Sequence, residues 1–292
     1  MAVALPSALV TPAWLNSHLG KVNLLDATFA MPGSGKHAGV DYALQHIPGA
    51  QFFNIEEIAD PDSEWPHMLP MAEEFAAALV TLGFDENLPT VIYDDGSTMG
   101  ACRCWWMLRV FGYDSAALLD GGLPAWEKAG HAVTDAVTPE SAGAFTPNFR
   151  TELVWDKRQV LENMQHGDTV LLDARSPQRF KGEAAEPRPG LRRGHIPGAL
   201  NVHYATLLDA ETKCFKTPAA LREVISQAGI HQSEPLAATC GSGISACVIA
   251  FALHLLGRSD VPVYDGSWAE WGASAGNPIM QGPAQRLQPP RD

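Results

Sequence analysis

The sequence shows no mark of export or of membrane insertion. No Lys or Arg precedes Lys21, so the N-terminus has neither the basic flank of a secretory signal nor the Arg-rich face of a transit peptide. The longest apolar stretch, from Gly243 to Gly257, is interrupted by one Ser and one His and is shorter than the ~20 residues that span a bilayer. We therefore expect a soluble, cytoplasmic protein with no membrane partner.

Cysteine is scarce and shows no pairing. The five cysteines are odd in number and scattered, and no two of them form the CxxC spacing of a structural zinc site. They are Cys102, Cys104, Cys214, Cys240 and Cys247. Such a set favours free thiols in a reducing compartment over a disulfide framework. We expect neither a metal nor a cofactor.

Positive charge is also scarce. The chain has 20 Lys and Arg against 33 Asp and Glu, a formal net charge of -13, which repels phosphate backbones and anionic lipid. We therefore expect no nucleic-acid partner. With 46% hydrophobic residues in 292, the chain can bury a large core, which argues against disorder. At ~150 residues per domain, its length suggests two domains.

The sequence contains an internal repeat at about half its length. Three short motifs occur twice, in the same order. They are LLDA at 24–27 and 171–174, HIPGA at 46–50 and 195–199, and DG followed by Gly or Ser at 120–122 and 265–267. The repeat predicts one domain at 1–135 and a second at 151–292. The segment 136–150 has no sustained hydrophobic period and is predicted to be a linker.

Short apolar runs alternate with helical patterns in both halves, which predicts an α/β fold. The predicted strands are 22–27, 50–55, 90–93, 116–119, 169–174, 199–203, 236–239 and 262–264, and the predicted helices are 71–82, 101–111 and 246–256. We expect two tandem domains, each a mostly parallel sheet flanked by helices. In such sheets, ligands bind beyond the carboxyl ends of the strands.

One such strand end carries a cysteine. Cys240 is followed by Gly241, Ser242, Gly243, Ile244 and Ser245, between a predicted strand and a predicted buried helix. The two glycines let the backbone curl, so that successive N–H groups and the helix N-terminus can face one anion. This environment would favour the ionised, nucleophilic form of Cys240. The alternative is a thiol packed in the core, as for most free cysteines.

The first half lacks a thiol at the matching position. The residue there is Asp95, within the sequence DDGSTMG at 94–100, which keeps the Gly/Ser turn. We therefore expect the second half to carry the reaction and the first to support it. Cys247, Cys102 and Cys104 lie on predicted helices and are expected to pack in the core.

A basic segment interrupts the acidic sequence at residues 175–193. It contains six basic side chains against only Glu183 and Glu186. The basic residues are Arg175, Arg179, Lys181, Arg188, Arg192 and Arg193. Because the segment is rich in Pro and Gly, it is predicted to be a loop. Its arginines either form surface ion pairs or converge on the thiol loop, where a guanidinium can bind a carboxylate with two hydrogen bonds.

These motifs together resemble the two-domain rhodanese superfamily over essentially the whole chain. The sequence CGSGIS at 240–245 is similar to the CGSG[VI][TS] signature of 3-mercaptopyruvate sulfurtransferases, with Ser245 in place of the more usual Thr. Thiosulfate sulfurtransferases of the same fold carry basic side chains in this loop. Further similarity lies in RFKGE at 179–183, EPR at 186–188 and HMLP at 67–70.

The resemblance assigns roles to individual residues. It implies that Cys240 accepts sulfur and that Arg179 and Arg188 hold the carboxylate and keto oxygen of the substrate. Ser242 and His67 match a proton relay whose third member is an Asp in the family. Glu56, one methylene longer, takes that position here. The alternative for His67 is a capping or surface histidine.

The backbone of the loop completes the implied site. The residues concerned are Gly241, Gly243, Ile244 and Ser245, whose N–H groups would stabilise a persulfide on the cysteine. A loop of Gly and Ser has dipoles but no charged side chain, so by itself it cannot balance a compact dianion such as thiosulfate. It suits a monoanionic thiol substrate whose carboxylate is bound by arginines outside the loop.

The resemblance implies transfer of sulfur from 3-mercaptopyruvate to a thiol or cyanide acceptor through a Cys240 persulfide, with release of pyruvate. A small thiol or a reduced thioredoxin-like protein is the expected acceptor. One alternative is a thiosulfate:cyanide sulfurtransferase, and another is a non-catalytic or sulfur-sensing module. A cysteine phosphatase would need Arg at the end of the loop, where Ala246 stands.

Overall fold

The computed structural model describes residues 3–139, 142–231 and 233–286. Residues 140 and 141 of the predicted linker, and the first two and last six residues of the predicted domains, lie outside the described residues. The chain divides into two compact units. The first comprises Met1–Asp62, Leu69–Arg150 and Glu211–Phe215, and the second Ser63–Met68, Thr151–Ala210 and Lys216–Asp292. The limits 1–135, 136–150 and 151–292 remain a prediction.

The first unit is a five-stranded parallel sheet with helices. Its elements are β1 (Leu9–Val10), α1 (Pro12–Asn16), β2 (Asn23–Asp26), α2 (Ala38–Leu44), β3 (Gln51–Phe52), α3 (Ala72–Thr81), β4 (Thr90–Tyr93), α4 (Met99–Val110), β5 (Ala116–Leu119) and α5 (Gly122–Lys128). The strand order is β1-β5-β4-β2-β3, and every pairing is parallel. The central strand β4 is buried along its whole length, as expected of a parallel sheet covered on both faces.

The second unit repeats this topology. Its elements are β6 (Val154–Trp155), α6 (Lys157–His166), β7 (Val170–Asp173), α7 (Pro177–Lys181), β8 (Leu200–Asn201), α8 (Pro218–Gln227), β9 (Leu236–Thr239), α9 (Ala246–Leu255), β10 (Val263–Tyr264) and α10 (Ser267–Ala273). The order β6-β10-β9-β7-β8 matches that of the first unit, and the pairings are again parallel. The predicted fold of two tandem α/β domains is confirmed.

The register of the second sheet determines which residues share its carboxyl edge. Strands β7 and β9 pair from Val170 opposite Leu236 to Asp173 opposite Thr239. The residues that follow these two strands, the basic segment and the Cys240 loop, therefore leave the sheet at the same edge. Helix α9 is buried on all sides up to Leu253, because its sequence is apolar around the whole circumference.

The structure corrects one prediction about the basic segment, which is not a loop throughout. Residues Pro177–Lys181 form the short helix α7. Ser176 caps its N-terminus by accepting from the Arg179 N–H, Pro177 occupies the first turn, and Gly182 ends the helix in the left-handed region. This Ser-Pro start and Gly stop were present in the sequence, but five residues are too few to show a helical period.

None of the helices in the described part of the chain is long and apolar enough to cross a membrane.

Candidate active site

Cys240 lies at the carboxyl end of the central strand of the second sheet. It directly follows β9, and α9 begins six residues later. Its side chain is 2% exposed. The first turn of α10 holds the loop backbone, because the Trp268 N–H donates to the Cys240 carbonyl at 3.0 Å and the Ala269 N–H donates to that of Gly241 at 2.9 Å. These two carbonyls therefore face α10.

Several loop amides have no acceptor in the described part of the chain. They are the N–H groups of Gly241, Ser242, Ile244 and Ser245. The loop carries no ionisable side chain other than the Cys240 thiol. Unpaired amides in a curled strand–loop–helix turn make a binding site for an anion, since each N–H carries a partial positive charge. This arrangement agrees with what the sequence predicted for these residues.

Two other loop amides bind a residue that the sequence analysis missed. The Ser267 hydroxyl oxygen accepts from the N–H of Cys240 at 3.2 Å and from that of Gly243 at 3.1 Å. The same hydroxyl donates to the carbonyl of Tyr264 at 2.8 Å. Ser267 is fully buried, and its φ of +50° is rare for a residue with a Cβ. The only signal in the sequence was a Ser in DGS where the first half has DGG.

Arg179 lies against the loop. A Cβ built on Gly241 would lie 2.9 Å from Arg179 Nη2, so only glycine leaves room for the guanidinium at this position. The Glu186 carboxylate, which is 2% exposed, accepts from Arg179 Nε at 3.1 Å and also from Nη2. Arg179 Nη1 has no acceptor among the described residues. One face of this guanidinium is thus fixed, and another can bind a ligand.

Arg175 anchors the carboxylate that fixes Arg179. Its buried guanidinium donates to Glu186 at 2.8 Å and to Asp173 at 2.6 Å, and it stacks on the Trp268 ring at 4.2 Å from the centroid. This fully paired arginine is structural. Arg192 is structural as well, because its guanidinium donates to backbone carbonyls at the end of α10 and beyond. Surface ion pairing is therefore not the role of these two arginines either.

His67 meets Ser242 in the second unit, as the resemblance implied. His67 Nδ1 lies 3.0 Å from Ser242 Oγ, and both side chains are buried. The segment Ser63–Met68 belongs to the second unit although its sequence neighbours form the first. Glu56 belongs to the first unit and is exposed, and its N–H donates to Asn54 Oδ1 at 3.2 Å. Its role in a relay remains a prediction.

Arg188 and His203 are two further side chains of the second unit to be weighed. Arg188 is half-buried in the segment between α7 and β8, and its contact with substrate remains a prediction. His203 follows β8 and was missed by the sequence analysis. Burial lowers the pKa of His203, and the positive charge of Arg179 lowers it further. His203 is therefore a neutral donor or acceptor within electrostatic range of Arg179 at neutral pH.

The matching loop of the first unit satisfies its amides with its own charge. The Asp94 carboxylate accepts from the N–H groups of Gly96 and Thr98 at 3.0 Å and of Ala101 at 3.2 Å. Burial raises its pKa to about 6, so the carboxyl is mostly ionised at neutral pH. Asp95, at the position of Cys240, pairs with Lys36 at 2.9 Å. The first unit therefore has no nucleophile here and no unpaired cradle for a substrate anion.

The remaining cysteines are free thiols. Cys102, Cys104 and Cys247 are fully buried, as predicted, and Cys214 is half-buried. The Cys247 thiol donates to the Gly243 carbonyl at 3.2 Å. In the described ranges, no three His, Cys, Asp or Glu side chains are grouped closely enough to hold a metal ion.

The fold and the cysteine loop define a class of protein. The sequence pattern of the rhodanese-like domain matches residues 11–129 and 156–274. The chain therefore belongs to the rhodanese family, with two tandem copies of the domain, and the predicted superfamily is confirmed.

Relatives with known names are similar over most of the chain. The 3-mercaptopyruvate sulfurtransferase of Escherichia coli K12 is 39% identical over 91% of this chain and 95% of its own length. The mitochondrial thiosulfate/3-mercaptopyruvate sulfurtransferase 1 of Arabidopsis thaliana is 37% identical over 95% of this chain and 79% of its own. Such relatives support sulfurtransferase activity, and the chain is an enzyme.

A solved structure of the same family matches the fold. The crystal structure of SseA from Escherichia coli, a 3-mercaptopyruvate sulfotransferase by its published description, superposes with a TM-score of 0.83. It is 36% identical and covers 90% of this chain and 99% of its own. The expected cysteine phosphatase and non-catalytic alternatives find no support in these comparisons.

Proposed function

We propose that the protein transfers sulfur from 3-mercaptopyruvate to a thiol or cyanide acceptor through a persulfide on Cys240, with release of pyruvate. The observation that carries this proposal is the loop itself: a cysteine among unpaired amides, with the Arg179 guanidinium against Gly241. The names of the Escherichia coli and Arabidopsis thaliana relatives support the donor.

The first half of the reaction forms one S–S bond and breaks one C–S bond. The Cys240 thiolate attacks the thiol sulfur of the substrate, and the electron pair of the C–S bond remains on carbon as the enolate of pyruvate. The enolate then takes up a proton. The outer sulfur of the persulfide, when ionised, lies among the N–H groups that have no other acceptor, and these stabilise its charge.

The charge of the site favours this donor over thiosulfate. The donor's carboxylate carries one negative charge, which the free Nη1 of Arg179 can bind at the loop, and Arg188 is the expected second ligand. The loop offers a second charge no side chain of its own. The alternative, a thiosulfate:cyanide sulfurtransferase, shares nucleophile and fold, and the Arabidopsis relative is named for both donors.

The second half of the reaction returns the thiolate. An acceptor thiolate, or cyanide, attacks the outer sulfur of the persulfide, the S–S bond breaks, and Cys240 leaves as thiolate. A small thiol or a reduced thioredoxin-like protein fits this step. We also propose a cytoplasmic location, while the Arabidopsis relative is named as mitochondrial.

The donor assignment is tested by supplying the purified protein in turn with 3-mercaptopyruvate, thiosulfate and a phosphoester. The Cys240 peptide is then weighed for one added sulfur atom. We expect loading from 3-mercaptopyruvate at a kcat/KM at least about tenfold above that for thiosulfate, since only the former matches the charge of the site. Preferential loading from thiosulfate would transfer the assignment to the alternative donor and leave the persulfide step intact.

A proton relay through Ser242 and His67 is the second element of the proposal. The 3.0 Å contact between them supports a hydroxyl that exchanges a proton with substrate while the imidazole holds it. Glu56 is the proposed third member. We expect Ser242→Ala and His67→Ala each to lower kcat about tenfold with little change in KM, below the ~10²-fold of an essential general acid, because water also protonates an enolate.

The relay makes a further demand on the double variant. Because the two side chains act as one unit, the combined substitution should be no worse than either alone. His166→Ala, which removes an exposed histidine of the same unit at the end of α6, is the matched control and should retain full activity. Additive losses in kcat would show that His67 and Ser242 act independently.

A further inference from the structure

The two units satisfy the amides of the same strand–loop–helix turn in different ways. In the first unit, the acceptor is the carboxylate of Asp94, at the end of β4. In the second unit, the residue at the matching position is Thr239, and the acceptor is the hydroxyl of Ser267. The first unit has Gly122 where the second has Ser267. One unit thus uses a charged acceptor and the other a neutral one.

The matched amides show what this exchange leaves open. Asp94 accepts from the N–H groups of Gly96 and Thr98. The counterparts of these residues in the repeat are Gly241 and Gly243. Gly243 donates to Ser267, whereas the Gly241 N–H has no acceptor among the described residues. The neutral acceptor thus engages fewer amides and leaves one of the matched pair for a ligand.

Ser267 holds its place at a cost in backbone conformation. Its φ of +50° lies in the left-handed region, which disfavours residues with a Cβ, and the matching Gly122 has a φ of +61°. Glycine would therefore be the easier choice at this position. A strained serine whose hydroxyl is fully buried and makes bonds to the loop on one side and to Tyr264 on the other is retained for that hydroxyl.

We infer that Ser267 is a positioning residue that fixes the Cys240 loop through a neutral acceptor, so that the loop keeps its positive potential for an anionic sulfur. This inference rests on the proposed persulfide chemistry. A carboxylate would fix the loop equally well, as Asp94 does in the first unit. However, its negative charge beneath the amides would oppose a thiolate or persulfide above them, because like charges within a few ångströms repel strongly in a buried site.

The experiment transfers the first unit's arrangement into the second. The double substitution Thr239→Asp/Ser267→Gly supplies a carboxylate at the strand end and removes the hydroxyl, and Ser267→Ala removes the hydroxyl alone. The readouts are the thermal midpoint, the alkylation rate of Cys240 by iodoacetamide as a function of pH, and sulfur loading from 3-mercaptopyruvate. Peptide mass spectrometry separates Cys240 from the half-buried Cys214, whose rate is the internal reference.

A positioning role through a neutral acceptor predicts different results for the two variants. Ser267→Ala should be less stable than the parent and alkylated about tenfold more slowly at neutral pH, since two loop amides lose their acceptor. The double variant should regain a midpoint near that of the parent, but its alkylation profile should move to higher pH and its sulfur loading should fall more than tenfold. Stability and reactivity thus separate.

Two results would overturn the inference. One is a Ser267→Ala protein with the alkylation profile of the parent, and the other is a double variant that retains both its reactivity and its loading. If the double variant does not fold, the Ser267→Ala profile and the conservative Ser267→Thr variant, which keeps the hydroxyl and should keep the profile, decide the question. Failure of the parent to load sulfur would refute the proposed function, whereas the alkylation profiles would still test Ser267.

Discussion

Replacing Cys240 by Ser is expected to abolish sulfur transfer while the protein remains folded. The two side chains are close in size, and the loop is held by backbone and Ser267 contacts that do not involve the sulfur. A serine hydroxyl cannot form a persulfide and is not ionised at neutral pH. We expect kcat for 3-mercaptopyruvate to fall by ~10³-fold or more, which is typical for the loss of a nucleophile.

Loading of the protein with sulfur gives the direct measurement. The parent should gain the mass of one sulfur atom per chain when donor is supplied without acceptor, and the variant should gain none. Cys214→Ser, which alters a half-buried thiol of the first unit, is the matched control and should load like the parent. Loading of the Cys240→Ser protein, or loss of loading in the control, would place the sulfur carrier elsewhere.

The fold was predictable because its signals are local and repeated. Four strands of each sheet show as apolar runs, and the repeat fixes two copies of one topology. The edge strands β1 and β6 were missed, since each is only two residues long and pairs with a distant strand. The assignment of Ser63–Met68 to the second unit was missed for the same reason, because long-range contacts leave no periodic pattern in the sequence.

The site was predictable where residue type alone implies chemistry. A cysteine between a strand and a buried helix, with glycines beside it, points to an anion cradle, and the structure has unpaired amides there. Ser267 and Glu186 were not predictable as parts of the site. Their importance depends on what lies opposite them in space, a pair of loop amides for one and two guanidinium groups for the other.

The basic segment shows how position in the fold divides chemically equal residues. Arg175 is fully buried among two carboxylates and a Trp ring, so all its donors are used for structure. Arg179, four residues later, shares only Glu186 and is 19% exposed. The buried ion pair thus fixes the direction of an exposed donor, which is the preorganisation that a substrate-binding arginine needs.

Substitution of Arg179 by Ala is expected to lower kcat/KM for 3-mercaptopyruvate by ~10- to 150-fold, or about 1.5–3 kcal/mol, the scale of a hydrogen bond to a charged group. Two effects contribute. The substrate carboxylate loses a guanidinium donor beside Gly241, and Glu186 loses one of its two arginine partners. Arg179→Lys should recover only part of the loss, because an ammonium group cannot bind Glu186 and a carboxylate in the same plane. Arg188→Ala is expected to cause a loss of similar size.

The matched control lies two residues away, on the same short helix. Lys181→Ala removes a positive charge from α7 that no carboxylate in the described residues pairs with, and it should leave kcat/KM within about twofold of the parent. Steady-state kinetics with 3-mercaptopyruvate at varied ionic strength distinguish a specific contact from a general field, because only the latter is screened by salt. Equal losses for Arg179→Ala and Lys181→Ala, both reduced by salt, would mean that the basic segment attracts the substrate without binding it.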